Sequence, residues 1–243
     1  MRWDTRFTGL RSVPEQGPAI IAANHVGFLD FAFIGAGADR RGRLVRFLAR
    51  SDAFDHWLGG PLLRVMRHIP VDREGDASVA YAAAEHALRA GRIVGIHPEG
   101  AMSASFVPQP AKSGAARLAI DTGAPLIPVA VWGSQRILAR GRHRFPRNVV
   151  VTVDYGTPII AAPEDDAASV TERLMGAIAR MVERAAARYP QRPRDASDRW
   201  WVPLHLGGTA PSVEASLEKA RTAAEHRRWR RAQAAGRANP PLG

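Results

Sequence analysis

The chain has 243 residues, 46% of them hydrophobic and 23% charged, which is enough to bury a core and too apolar for a disordered segment. It holds no cysteine, and this excludes disulfide frameworks, thiolate nucleophiles and cysteine-based zinc sites. The formal charge of +11, carried almost wholly by arginine, favours polyanionic partners such as nucleic acid, anionic lipid headgroups or phosphorylated substrates.

Ala19-Ile20-Ile21-Ala22-Ala23 reads as a buried strand that runs into Asn24-His25-Val26-Gly27-Phe28-Leu29-Asp30. A regular helix would set His25 and Asp30 about 140° apart around its axis. A regular strand would put them on opposite faces. They meet only if the backbone turns between them, and Gly27 permits such a turn. A His–Asp pair brought together in this way is the minimal general base, with the carboxylate fixing the imidazole tautomer. Asp30 also falls in the first turn of a helix expected over Phe31 to Ala36, where the helix dipole keeps a carboxylate ionised. The alternative is a capping Asp30 beside a structural His25.

Leu44–Leu48 is the next expected strand. Arg67-His68-Ile69-Pro70-Val71-Asp72-Arg73 follows as an extended piece, and Arg73 is suited either to a phosphate or to a surface ion pair with Asp72 or Glu74. Asp76 precedes an alanine-rich helix that Gly91 stops. Ile93–Ile96 then reads as a strand ending abruptly in His97-Pro98-Glu99-Gly100, with Glu99 projecting from its end and Gly100 able to approach a substrate closely. Lys112 to Thr122 is a helix closed by Gly123. Leu126–Trp132 is a strand whose Pro128 predicts an edge, a strand start or a bulge near a site. Val149–Tyr155 is a last strand. From Ala167 to Tyr189, Val170, Leu174, Ile178 and Val182 recur every four residues as an amphipathic helix.

Strands alternating with helices predict an α/β fold: a central, mostly parallel sheet flanked by helices, with a basic helical extension at the C-terminus. The composition changes after Pro190, which divides the chain into an α/β domain over 1–190 and an extension over 191–243. In the extension, Trp200 and Trp201 suit either a membrane interface or burial. The Arg227-Arg228-Trp229-Arg230-Arg231 cluster suits an anionic membrane surface. No apolar run approaches the roughly 20 residues of a spanning helix, and Met1 to Thr5 does not open a cleavable signal. The expected location is therefore cytoplasmic, peripheral on the inner face of the cell membrane.

Taken in order, four of these pieces resemble the motifs of the glycerolipid acyltransferase superfamily. Asn24, His25 and Asp30 fit its Asn-His-x4-Asp motif. Ile69-Pro70-Val71-Asp72-Arg73 looks like its extended segment ending in arginine. Pro98-Glu99-Gly100 fits its aromatic-Pro-Glu-Gly turn with His97 in the aromatic place, and Pro125 to Val131 resembles its proline-containing strand. The resemblance spans about Ala19 to Pro158 and implies transfer of a fatty acyl group from a thioester, on coenzyme A or acyl carrier protein, to a lipid hydroxyl. The implied acceptor is a lysophospholipid such as 1-acylglycerol-3-phosphate, and a glycolipid is the alternative. His25 would be the base and Asp30 its orienter, while Arg73, Glu99 and Gly100 would serve the acceptor and its phosphate. No cofactor or metal is implied. Many phosphatidic-acid-forming relatives follow Pro-Glu-Gly with Thr-Arg, where this chain has Ala101-Met102. Many also carry an N-terminal hydrophobic anchor, where here eighteen residues precede the first expected strand, so anchoring is expected from elsewhere.

Two rival classes follow from charge and residue type. A basic nucleic-acid-binding protein satisfies the electrostatic criterion, but no helix-turn-helix, RNA-recognition or zinc-finger pattern is present. A metal-dependent hydrolase using His25, Asp30 and His97 matches no familiar ligand spacing. A membrane-binding relative without catalysis is a further alternative.

Overall fold

The computed structural model describes residues 3–57, 59–72, 75–142 and 145–234. In chain order the regular elements are β1 (Asp4–Thr8), β2 (Ala19–Ala23), α1 (Asp30–Asp39), β3 (Val45–Arg50), α2 (Gly59–Val65), β4 (Ile69–Val71) and α3 (Ala77–Arg89). They continue with β5 (Ile93–Ile96), α4 (Gly114–Thr122), β6 (Leu126–Trp132), β7 (Val150–Tyr155), α5 (Ala167–Arg188) and α6 (Val213–Ala234).

Seven strands form one sheet in the order β1-β7-β6-β2-β5-β3-β4. All neighbours are parallel except β6 and β7, so β1 and β7 run against the other five. The fold is thus the mostly parallel α/β sheet with flanking helices that the alternation of patterns predicts. The central strands are buried on both faces, which is why they read as unbroken apolar runs rather than alternating ones. Ile20 and Ala22 of β2 point to the core shared with α3, α4 and α5, while Ala19, Ile21 and Ala23 point to the core shared with α1. On α5, Val170, Leu174, Ile178 and Val182 are all buried against the sheet. Each such aliphatic side chain contributes roughly 1.5–3 kcal/mol of transfer free energy.

Local chemistry sets the helix ends. The Asp76 carboxylate accepts from Ser78 N at the start of α3, and Asp166 does the same from Ser169 N at the start of α5. Gly91 and Gly123 take left-handed φ values of 71° and 66° where α3 and α4 stop.

Two features depart from the sequence reading, and a third selects the bulge among the alternatives it left open at Pro128. First, β1 lies upstream of the expected first strand; as a five-residue edge strand of half-exposed and exposed residues it carries no apolar signature. Second, α2 forms from Gly59-Gly60-Pro61, a poor helix-forming start, because Gly60 and Leu63 pack inward. Third, β6 is an interior strand although it contains Pro128. Ladder pairing with β7 begins only at Val129, opposite Tyr155. The next pairing, Leu126 with Ile159, leaves one extra residue on the partner side. Pro128 sits in that bulge, where Gly156 N donates to its carbonyl and no partner requires its missing N–H.

The C-terminal segment does not stand apart from the sheet. Trp201 and Ala210 are buried in the α3–α4–α5 core, and Trp201 packs edge-on against Tyr189 with the Arg136 guanidinium over its ring. This removes Trp201 from any membrane interface. Trp200 lies beside it, half-buried against Phe106 and under Arg142. The start of α6 is docked as well, since the buried Ser216 hydroxyl accepts from Ala104 N and from Gln109 Nε2.

Candidate active site

The C-terminal ends of three adjacent parallel strands, β6, β2 and β5, meet at one point of the sheet edge, the place where open α/β sheets bind ligands. The loop after β2 supplies His25, the loop after β5 supplies His97 and Glu99, and the turn after β6 supplies Ser134.

Asn24 turns the chain out of β2. Its Nδ2 donates to Val131 O at 3.0 Å and its Oδ1 accepts from Val131 N at 2.8 Å, so the side chain replaces the ladder bonds that the departing backbone gives up. The chain folds back at Gly27, where a Cβ would meet Ser134 O at 3.0 Å, so glycine is needed there for this close approach and not for a left-handed φ. The turn ends at Asp30, the first residue of α1, whose carboxylate is completely buried. Its Oδ2 accepts from His25 Nδ1 at 2.9 Å, from Val26 N at 2.8 Å and from Gly27 N at 2.9 Å. Its Oδ1 accepts from Ser134 Oγ at 2.5 Å. Burial alone would raise the Asp30 pKa, but the bond from His25, the electrostatic attraction of the His25 and His97 rings and the Gly27 N–H outweigh it and hold the carboxyl below its usual range. An ionised Asp30 accepts and does not donate, so His25 Nδ1 carries the proton. Nε2 is left as the basic nitrogen, without a hydrogen-bond partner among the described residues, on a side chain one-fifth exposed.

His97 explains its place in the motif by stacking. Its ring lies on His25 at 4.1 Å between centroids, inclined by 13°, and on its other side Phe47 stacks at 5.6 Å. Its Nδ1 is 3.1 Å from both Ala23 O and Asn24 O, so it donates to backbone. Burial pushes its pKa down to about 3, so it lies neutral against His25. Among the described residues no group of three His, Cys, Asp or Glu side chains is placed to hold a metal ion.

Both oxygens of the Glu99 carboxyl take backbone donors. Its Oε1 accepts from His25 N at 3.0 Å and its Oε2 from Gln109 N at 2.9 Å, so it ties the loop after β2 to the loop that follows its own turn. Gly100 closes that turn at φ 67°, with its N–H donating to His97 O. Ser103 N donates to His25 O, which seats the following loop on the His25 turn. Burial pushes the Glu99 pKa up to about 8 from an ordinary 4.5. A carboxyl raised in the folded state contributes stability that is complete below pH 4.5 and lost as pH rises through about 8. Chemical unfolding of Glu99→Gln between pH 5 and 9 is therefore expected to show a flatter stability curve than the parent chain, and an unchanged slope would refute this assignment.

His25, Asp30, Glu99 and Gly100 thus lie together, whereas Arg73 is outside the described residues; the extended piece before it forms β4. Sequence reasoning missed Ser134 and Gln109. Ser134 is separated from Asp30 by more than a hundred residues and sits in a turn started by Gly133 at φ 97°, held where Gly133 N donates to Gln135 Oε1. The Gly133-Ser134 turn directly after the strand was the one available signal.

A three-layer α/β sheet thus carries a buried, oriented His–Asp pair at its C-terminal edge, an arrangement able to accept a proton at His25 Nε2. Comparison with known proteins gives the family: the Acyltransferase family model matches residues 4–132, more than half of the chain, and the chain belongs to that family. It is 29% identical over 133 residues to the 1-acyl-sn-glycerol-3-phosphate acyltransferase of Bacillus subtilis, covering 55% of this chain and 65% of that one. It is 25% identical over 166 residues to the chloroplastic 1-acyl-sn-glycerol-3-phosphate acyltransferase BAT2 of Brassica napus, covering 67% and 47% respectively. The chain therefore spans less than two thirds of the length of these relatives. The crystal structure of the 1-acyl-sn-glycerophosphate acyltransferase PlsC from Thermotoga maritima has the same fold, with a TM-score of 0.64 at 22% identity over 77% of this chain and 74% of that one.

Proposed function

We propose that the protein transfers a fatty acyl group from a thioester to a hydroxyl of a glycerolipid in phospholipid synthesis, with 1-acylglycerol-3-phosphate as the acceptor. The observation that carries this is the His25–Asp30 pair, with Nδ1 anchored at 2.9 Å and Nε2 open. His25 Nε2 takes the proton of the acceptor hydroxyl as its oxygen attacks the thioester carbonyl. Asp30 stabilises the imidazolium that forms. The tetrahedral intermediate then collapses, the C–S bond breaks, and the leaving thiolate takes the proton back from His25. The ester and the free thiol are the products, and no acyl-enzyme is required. The donor is acyl coenzyme A or acyl carrier protein. Arg73 provides the acceptor phosphate contact, which Ala101-Met102 does not supply, and Gly100 leaves room for the acceptor at the turn.

The reading also includes an anionic membrane surface as partner. Beyond Glu225, α6 carries Arg227, Arg228, Arg230 and Arg231 with no acid, and each cation near a negative leaflet is worth roughly 1 kcal/mol. Among the described residues no helix is long and apolar enough to cross a membrane.

The test is transfer of labelled acyl groups from coenzyme A and from carrier protein to a panel of lysophospholipids, glycerol phosphate and glycolipids. The expected product is phosphatidic acid. Transfer only to phosphate-free acceptors would overturn the acceptor and the role of Arg73, and absence of transfer to any hydroxyl would overturn the reaction.

A further inference from the structure

Surface helices turn their apolar stripe inward. In this protein α2 also turns one outward. Gly60 and Leu63 face the sheet, but Trp57, Leu62 and Val65 are 81%, 54% and 77% exposed, with Pro61 exposed beside them. Within α2, Pro61, Leu62 and Val65 share one outer face, and Trp57 is exposed just ahead of the helix. Three large apolar groups left in water within nine residues form a patch of the kind that marks an interaction surface.

Charge identifies the partner. Arg64 and Arg67 are exposed within and directly after the helix. Arg67 and Arg92 both repel the Arg46 guanidinium on β3, and Arg46, Arg64 and Arg67 outnumber the exposed Asp52 and Asp55 that precede the helix. Pairing this face with its own copy across a two-fold axis would bring like charges together. An anionic leaflet instead offers hydrocarbon for the apolar groups and phosphates for the arginines, the combination that holds interfacial amphipathic helices.

Position gives the face its use. α2 leads directly into His68, whose ring meets Phe31 at 5.4 Å and Phe47 at 5.8 Å. Phe47 stacks on His97, and His97 on His25. A continuous column of rings therefore joins the end of α2 to the catalytic imidazole.

We propose that the outer face of α2 is the membrane-insertion surface of this protein, with Trp57, Leu62 and Val65 entering the headgroup–acyl boundary of an anionic leaflet. Its consequence, delivery of an amphiphilic acceptor beside His25, rests on the acyltransferase reading; the surface itself does not. Insertion of apolar groups resists salt, whereas attraction of the α6 arginines is screened, so salt separates the two contributions.

The experiment is co-sedimentation of the full chain with phosphatidylcholine–phosphatidylglycerol vesicles at low salt and at about 0.5 M salt, where the screening length falls to a few ångströms. Trp57→Ser/Leu62→Ser/Val65→Ser is expected to lower the salt-resistant partitioning on the order of 10-fold or more. Arg228→Glu/Arg230→Glu is expected to lower only the salt-sensitive part. Val79→Ser, an equally exposed site on α3, is the control for surface apolarity and is expected to bind as the parent does. Circular dichroism checks that each variant is folded. Parent-like binding by the folded triple variant would overturn the proposal, and so would a solution dimer of the parent chain that the triple substitution dissolves. Vesicle binding that depends on α2 without any acyl transfer would support the surface and overturn the acyltransferase reading.

Discussion

His25→Ala is expected to lower kcat for acyl transfer on the order of 10²–10⁴-fold, the range for loss of a general base. KM for both substrates and the melting temperature should stay close to those of the parent chain. The reason for the split is local. The His25 side chain makes one hydrogen bond, through Nδ1, and stacks on His97; its backbone N–H and carbonyl, bound to Glu99 and Ser103 N, survive the substitution. Asp30 keeps its bonds from Val26 N, Gly27 N and Ser134 Oγ, so the turn remains held. A loss confined to kcat identifies an interaction made in the transition state rather than in substrate binding. Steady-state kinetics on purified, folded protein decide the matter: turnover within a few-fold of the parent chain would rule out His25 as the base.

Asp30→Asn isolates the charge from the geometry. The amide oxygen can still accept from His25 Nδ1, Val26 N and Gly27 N while the amide nitrogen faces Ser134 Oγ, a hydroxyl able to accept in turn. What disappears is the anion beside the imidazolium formed during attack. The expected result is a folded protein whose kcat falls on the order of 10²–10⁴-fold, comparable to loss of the base itself, since paired groups act as a unit. Asp30→Ala is a harsher change. It leaves two buried backbone N–H groups and the Ser134 hydroxyl without their acceptor, at about 1–3 kcal/mol for each unmet group. Thermal unfolding followed by circular dichroism separates the two variants. An Asp30→Asn protein that keeps full turnover would show that orientation alone suffices.

Much of the fold was readable where a single physical demand governs a segment. Ala19–Ala23, Ile93–Ile96 and Leu126–Trp132 sit in the sheet interior and must be apolar on both faces, so their runs marked both strand and boundaries. The stops at Gly91 and Gly123 were equally plain, because a left-handed φ favours glycine. The edge strand β1 and the glycine-rich start of α2 were not readable, since each is held by packing against distant chain rather than by its own pattern. Trp200 and Trp201 carried identical chemistry in the sequence, and only their surroundings put Trp201 inside the core.

The site divides in the same way. By itself the sequence determined that His25 and Asp30 could work together, because a five-residue separation with Gly27 between them requires a bend, and it set Glu99-Gly100 at a strand end. Tertiary structure alone decided how that pair is held: the Ser134 hydroxyl on Asp30, the His97 ring on His25, and a Glu99 carboxyl turned inward to bind His25 N and Gln109 N. The reason is physical. A bend is a property of consecutive dihedral angles and is written in adjacent residues, as are the bonds Asp30 takes from His25, Val26 and Gly27, whereas the Ser134 hydroxyl, the His97 ring and the Glu99 bond to His25 N come from loops whose strands are neighbours only in the folded sheet.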